Sequence, residues 1–173
     1  GEPYIVNLDT CNEALPQKQK DLGLEIKQSN LCSEITLPTD EERTAVCCLS
    51  SVNLEHFDKW SKKKNFINDL VTMLDNVLQH FIDNAVDTTQ LGEYNANFKR
   101  FKKYIRAGKE GFTRATYSAY RERSIGLGAM GFHAYLQSKQ IPFESIFASG
   151  FNHKAFSHIK EKAFEASQRL ADT

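Results

Sequence analysis

The 173 residues are 40% apolar, enough for one ordinary domain with a sizeable core, and this excludes a disordered chain. Lysine plus arginine and aspartate plus glutamate balance at 22 each, so no net field draws the chain to nucleic acid or to an anionic membrane surface. No apolar run approaches the roughly 18 residues of a bilayer-spanning helix, no cleavable leader is visible, and Cys11, Cys32, Cys47 and Cys48 without a secretory signal indicate reduced or catalytic thiols in a cytoplasmic protein.

The chain begins at Gly1 and its first methionine is Met73, which leads us to expect a piece of a longer or divided protein. Residues 3–9, with Tyr4, Ile5 and Val6, have the character of a short strand ending in turn formers, with Cys11 packed at its end. Residues 13–27 are polar, hold Pro16 and Gly23, and suit a loop with one helical turn.

The segment 28–38 is the most informative stretch. In an extended or tight-loop backbone, side chains alternate between faces, so Asn30, Cys32 and Glu34 meet over one spot while Leu31, Ser33 and Ile35 anchor the other face. An amide, a thiol and a carboxylate together present a sulfur between a hydrogen-bond donor and a base. The plainer alternative is that Cys32 is a small apolar core residue. Pro38 biases Leu37 away from helix. Residues 45–53 form an apolar run of strand length, suited to burial on both faces. Adjacent Cys47 and Cys48 cannot bond to each other without strain, so a working disulfide joins one of them to a cysteine elsewhere.

The apolar pairs Phe66/Ile67, Leu70/Val71, Met73/Leu74, Val77/Leu78, Phe81/Ile82 and Ala85/Val86 recur at the spacing of one helical face, which predicts a long amphipathic helix over 66–86 with a core stripe along these pairs. A strand followed by such a helix is half of a βαβ unit. Residues 87–123 are polar, and basic residues interleave with aromatics over 98–123, among them Phe98, Phe101, Tyr104, Tyr117 and Tyr120. That pattern can bind single-stranded nucleic acid by stacking. The reading preferred here is a solvated excursion broken by Gly92, Gly108 and Gly111. Gly126, Gly128 and Gly131 satisfy a dinucleotide-binding spacing, but the charged residues 120–123 do not read as the buried strand such a site requires. Close helix packing through these glycines, within a helix near 127–139, is the preferred reading, and a last helix is expected near 155–171. The five histidines and four cysteines show no metal-ligand spacing, so no metal is expected in this chain.

Two words carry a resemblance: SNLCSEI at 29–35, closing in LPT at 37–39, and ERTAVCCLSSVNL at 42–54. In that order they resemble the active-site finger loop and the following cysteine strand of the large, catalytic subunit of ribonucleotide reductase. RERSIGLGAMGFHAYLQ at 121–137 resembles a third block, so the likeness runs from Gly1 to Thr173. It is nearest to the bacteriophage branch of the aerobic, two-subunit class, towards which residues 137–144 lean. A cobalamin-dependent relative shares the finger. The resemblance implies an α/β fold, a partial segment of a ten-stranded α/β barrel, with 1–173 a single fragment of that domain.

It also implies a radical reduction of ribonucleoside diphosphates for DNA synthesis. Cys32 would be the thiyl radical that takes the 3′ hydrogen, Glu34 the base on the 3′-hydroxyl, and Asn30 the group that orients substrate. Cys47 would be one of the two reducing thiols, a choice the sequence alone leaves open against Cys48. Ser29, Asn30, Leu31, Cys32 and Glu34 would line the substrate. The family's partners are the remainder of the large subunit, usually as a homodimer, a small radical-generating subunit with a di-iron tyrosyl-radical centre, and thioredoxin or glutaredoxin, with nucleotide effectors. This chain would bind no cofactor itself, and alone would be inactive. The competing class is a non-catalytic module binding nucleic acid or a partner through 98–123.

Overall fold

The computed structural model describes residues 3–85 and 111–172. The chain divides into two compact units, Gly1–Val46 with His80–Arg123, and Cys47–Gln79 with Ser124–Thr173.

In the first unit the stretch expected as a strand is instead the approach to helix α1, Leu8–Glu13. The Asn7 side chain accepts from the Thr10 N–H at 3.1 Å, and that cap outweighs the local strand propensity. Cys11 therefore sits on a helix, half-buried, rather than at a strand end. Helix α2, Gln17–Asp21, is the single turn expected in the polar stretch. Beyond residues 86–110, which lie outside the described residues and hold most of the expected excursion, helix α5 spans Gly111–Glu122. Here the excursion reading fails: Thr116, Tyr117, Ser118 and Ala119 are buried. Gly111 is the first described residue of this helix.

In the second unit strands β1, Cys48–Asn53, and β2, Ile125–Met130, pair in parallel, with Cys48 opposite Ile125 and Asn53 opposite Met130. Among the described residues only one face of β1 is covered, since Val52 is buried while Leu49 is 55% exposed. The expectation of a run buried on both faces is not met there. Two of the glycines in 126–131 belong to a strand rather than a helix, and helix α6 is Phe132–Ser138. A Cβ on Gly126 would strike Leu49 Cδ2 across the ladder, which is why β2 carries glycine opposite a large side chain. Gly131 ends the strand at φ +75°, and a Cβ there would strike Asn53 Oδ1. That oxygen is already occupied in accepting the Glu55 N–H at 3.0 Å, capping the 3₁₀ turn Leu54–His56.

Helix α3, Phe57–Trp60, and helix α4, Phe66–Ala85, follow β1. Ile67, Val71, Leu74, Leu78 and Ile82 are buried as the periodicity predicts, each such side chain worth roughly 1.5–3 kcal/mol of transfer free energy. Helix α7 spans Ile146–Ala171, nine residues longer at its start than the apolar pattern indicated (155 − 146). Ser145 caps it by accepting the Ala148 N–H at 3.2 Å, and its buried stripe alternates small and large residues, Ala148, Phe151, Ala155 and Ile159, which blurs the periodic signal. Arg169 fastens α7 to α4 through Asn68 Oδ1 at 2.6 Å and Thr72 Oγ1 at 2.8 Å.

Aromatic rings fill the centre of this unit. Tyr135 stacks on Phe151 with centroids 3.7 Å apart, and Trp60 Nε1 donates to the Asn53 carbonyl at 2.8 Å. At the rim, Asp58 accepts from Tyr135 at 3.2 Å and pairs with Lys139 at 2.8 Å. Lys139 and, less strongly, the Tyr135 hydroxyl hold the Asp58 carboxyl below the usual carboxylate range, against the opposing effect of burial. Burial first, and then Asp58, push the Tyr135 phenol up.

Candidate active-site loop

The segment 27–38 is a closed loop whose feet are fastened by the first unit. Asn12 on α1 grips the backbone of Ile26 from both sides, its amide donating to the Ile26 carbonyl at 3.0 Å and its carbonyl accepting the Ile26 N–H at 2.8 Å. Thr39 N–H donates to the Glu25 carbonyl at 3.3 Å, joining one foot to the other. Ile26 and Pro38 are buried there. The sequence folds this way because an asparagine can supply both a donor and an acceptor to one extended residue.

Within the loop Asn30 organises the tip. Its carbonyl accepts the N–H groups of Glu34 and Ile35, each at 3.1 Å, and its amide donates to Glu34 Oε1 at 2.7 Å. Ser29 Oγ donates across the loop to the Ile35 carbonyl at 2.7 Å. Ser33 N–H closes a turn on the Asn30 carbonyl at 3.0 Å, and Ser33 lies at φ +60°, a conformation that costs a residue other than glycine or asparagine about 1 kcal/mol. Cys32 is exposed at the turn.

Asn30 and Glu34, two of the residues the sequence reading placed together, are joined, and the exposed Cys32 lies between them in sequence. The means is different: a tight turn, not strand alternation, brings them together. Leu31 is 84% exposed and anchors nothing, while Ser33 and Ile35 are half-buried.

Cys47 and Cys48 belong to the second unit, both half-buried and reduced. Cys48 opens β1 and its N–H donates to the Ser124 carbonyl at 3.4 Å. Beyond the loop lies a group that no sequence pattern exposed. Arg43, only 9% exposed, pairs with the carboxylate of Glu122 and, at 3.4 Å, with Asp40, and its guanidinium stands 5.3 Å from the Tyr117 ring centroid. Arg43 and Glu122 are 79 positions apart, and nothing in either neighbourhood announces the pairing. Tyr117 is therefore a core residue under an arginine and is unavailable for base stacking. The remainder of the proposed nucleic-acid stretch, 98–110, lies outside the described residues. Among the described residues no cluster of three histidine, cysteine or carboxylate side chains could hold a metal ion, and no helix is long and apolar enough to cross a membrane.

An exposed thiol on a clamped loop that also carries a hydrogen-bonded amide and carboxylate, in an α/β chain with a parallel strand pair, sets the class in which relatives are to be sought. The family model of the ribonucleotide reductase barrel domain matches residues 1–173, and the chain belongs to that family. It is 52% identical over 172 residues to the ribonucleoside-diphosphate reductase large subunit of Invertebrate iridescent virus 3, covering 99% of this chain and 24% of that protein. To the large subunit of Arabidopsis thaliana it is 33% identical over 174 residues, covering 99% of this chain and 20% of that one. The class Id ribonucleotide reductase alpha subunit of Actinobacillus ureae superposes with a TM-score of 0.80 at 35% identity, over 99% of this chain and 29% of the other. The fold is accordingly part of the ribonucleotide reductase barrel domain, and the chain spans about a quarter of the length of these relatives. A viral relative fits the resemblance to a phage branch only loosely.

Proposed function

We propose that this chain supplies the radical-bearing loop and one reducing thiol of a ribonucleoside-diphosphate reductase. The observation that supports it most directly is the Asn30–Glu34 hydrogen bond beside the exposed Cys32. Displacing a ribose 2′-hydroxyl by an ordinary polar route is difficult, because the carbon is unactivated and hydroxide leaves badly. A sulfur radical on Cys32 removes the 3′ hydrogen, forming S–H and leaving a carbon radical beside the bond to be broken. Glu34 takes the 3′-hydroxyl proton while the 2′-hydroxyl leaves as water, its added proton coming from one of the two reducing thiols. Asn30, already donating to Glu34, orients the substrate hydroxyls against that carboxylate, and Ser29 and Leu31 border the same spot. Cys47 and a second thiol from the rest of the large subunit deliver two electrons and two protons and become a disulfide. Cys32 then returns the 3′ hydrogen and regains its radical.

The radical originates in a separate small subunit whose di-iron centre supplies a tyrosyl radical, and no residue of this chain takes part in holding it. Re-reduction falls to thioredoxin or glutaredoxin, the large subunit works as a homodimer under nucleotide effectors, and the setting is cytoplasmic. A single turnover tests the assignment of Cys47. A pre-reduced full-length subunit carrying this sequence, given its small subunit and substrate without external reductant, is expected to make product in stoichiometric amount, and peptide mapping then finds Cys47 in a disulfide with Cys32 still a thiol. Product formed with Cys47 still reduced would contradict the assignment.

A further inference from the structure

The buried charges beneath the loop have a role beyond holding the fold. Asp40 and Arg43 form the turn that receives the loop's C-terminal foot, exchanging backbone hydrogen bonds of 3.3 Å each way. Gln19, on the helix that leads into the other foot, donates to Glu122 Oε2 at 3.2 Å, while Arg43 takes Oε1. The segments leading into and out of the Cys32 loop therefore both reach one carboxylate, Glu122, at the end of α5. Thr44 N–H adds a bond to the Arg114 carbonyl of the same helix at 3.4 Å. Side chains of Arg43 and Glu122 are each 9% exposed, so the pair is removed from water, and the guanidinium is held between two carboxylates, Nη1 on Glu122 Oε1 and Nε on Asp40 Oδ2. A buried pair of this kind adds little net stability over an apolar pair of the same volume, and what it supplies instead is a defined arrangement.

Resting on the function proposed above, we propose that Arg43 and Glu122 are positioning residues that set the Cys32 loop for hydrogen abstraction. They touch no substrate. Abstraction by sulfur depends steeply on the distance to the reacting hydrogen, and a displacement of about 1 Å can cost about a hundredfold in rate.

The test uses the full-length large subunit with its small subunit, comparing wild type, Arg43→Lys and the apolar double variant Arg43→Met with Glu122→Leu. The expected result for the double variant is a thermal midpoint near that of wild type, a KM for the nucleoside diphosphate within about twofold, and a kcat lower by at least about tenfold. Arg43→Lys, which keeps the charge but not the fork, is expected to recover part of kcat. A double variant with wild-type kcat overturns the proposal, as does a fall in kcat matched by the loss of folded protein. Should the double variant not fold, Arg43→Lys decides alone, and wild-type kcat in it overturns the proposal. Cys32→Ser, assayed in parallel, separates the two claims: if it is inactive while the double variant is normal, only the positioning role falls, and if it is active the function itself falls.

Discussion

At position 30 the side chain accepts a 3.3 Å hydrogen bond from Ser29 Oγ and makes three more within the turn, to two backbone N–H groups and to Glu34. Each exposed bond contributes about 0.5–1.5 kcal/mol, and together they hold the turn that presents Cys32. Asn30→Ala removes them all and is expected to cut turnover in the full-length enzyme by at least about a hundredfold, a loss larger than orientation of the substrate alone would give. Asn30→Asp keeps the acceptor for the Glu34 and Ile35 N–H groups but places a second carboxylate against Glu34. Steady-state kinetics on the two variants check this, and the account predicts that the aspartate is also impaired, through like-charge repulsion. Equal and near-normal rates in both would show that the turn stands without Asn30. The residue types at 30, 32 and 34 were legible as a constellation because amide, thiol and acid in alternation are chemically unusual. The turn was not legible, since it depends on the positive φ of Ser33, a conformation serine does not advertise.

The βα junctions of the second unit show the same contrast between pattern and geometry. Helix α4 was readable because its stripe is long and regular, whereas β2 was hidden by glycines whose purpose is the close approach of β1. Gly131→Ala must place a Cβ against Asn53 and adopt φ +75°, so we expect a loss of about 1–3 kcal/mol. Urea unfolding of this chain, followed by its one tryptophan, Trp60, measures it, and an unchanged midpoint would refute the packing described. Asp58 gives a pH signature. Its carboxyl titrates below the ordinary carboxylate range in the folded state because Lys139 and Tyr135 favour the anion. The stability it contributes is therefore present above that range and lost as pH falls through the lowered value. Lys139 is shifted up by the same pair, so its share persists through neutrality and is lost only as pH rises past the ordinary lysine range. Both side chains are nearly half exposed, so solvent screens the pair and the effect is small. Asp58→Asn is expected to be less stable than wild type at pH 7 and indistinguishable from it near pH 2, and a gap that survives acidification would remove the ion pair from the account.

As a whole, the chain spans about a quarter of the length of the large subunits it matches. The two described strands form a parallel pair, an arrangement normally buried within a larger sheet, and Ile146 and Phe147 are 81% and 72% exposed. This chain expressed alone is expected to yield no deoxynucleotide when given substrate, small subunit and reductant, and product above background would refute that. The family was legible in short words of sequence because catalytic loops preserve residue types. The Arg43–Glu122 pair was not, because contacts between distant positions leave no local trace. The most direct measurement is deoxynucleotide formation by the full-length enzyme carrying Cys32→Ser, with Cys11→Ser as control. The account predicts loss of at least about a thousandfold in the first, with substrate affinity and folding retained, and wild-type turnover in the second. Undiminished reduction by Cys32→Ser would contradict it.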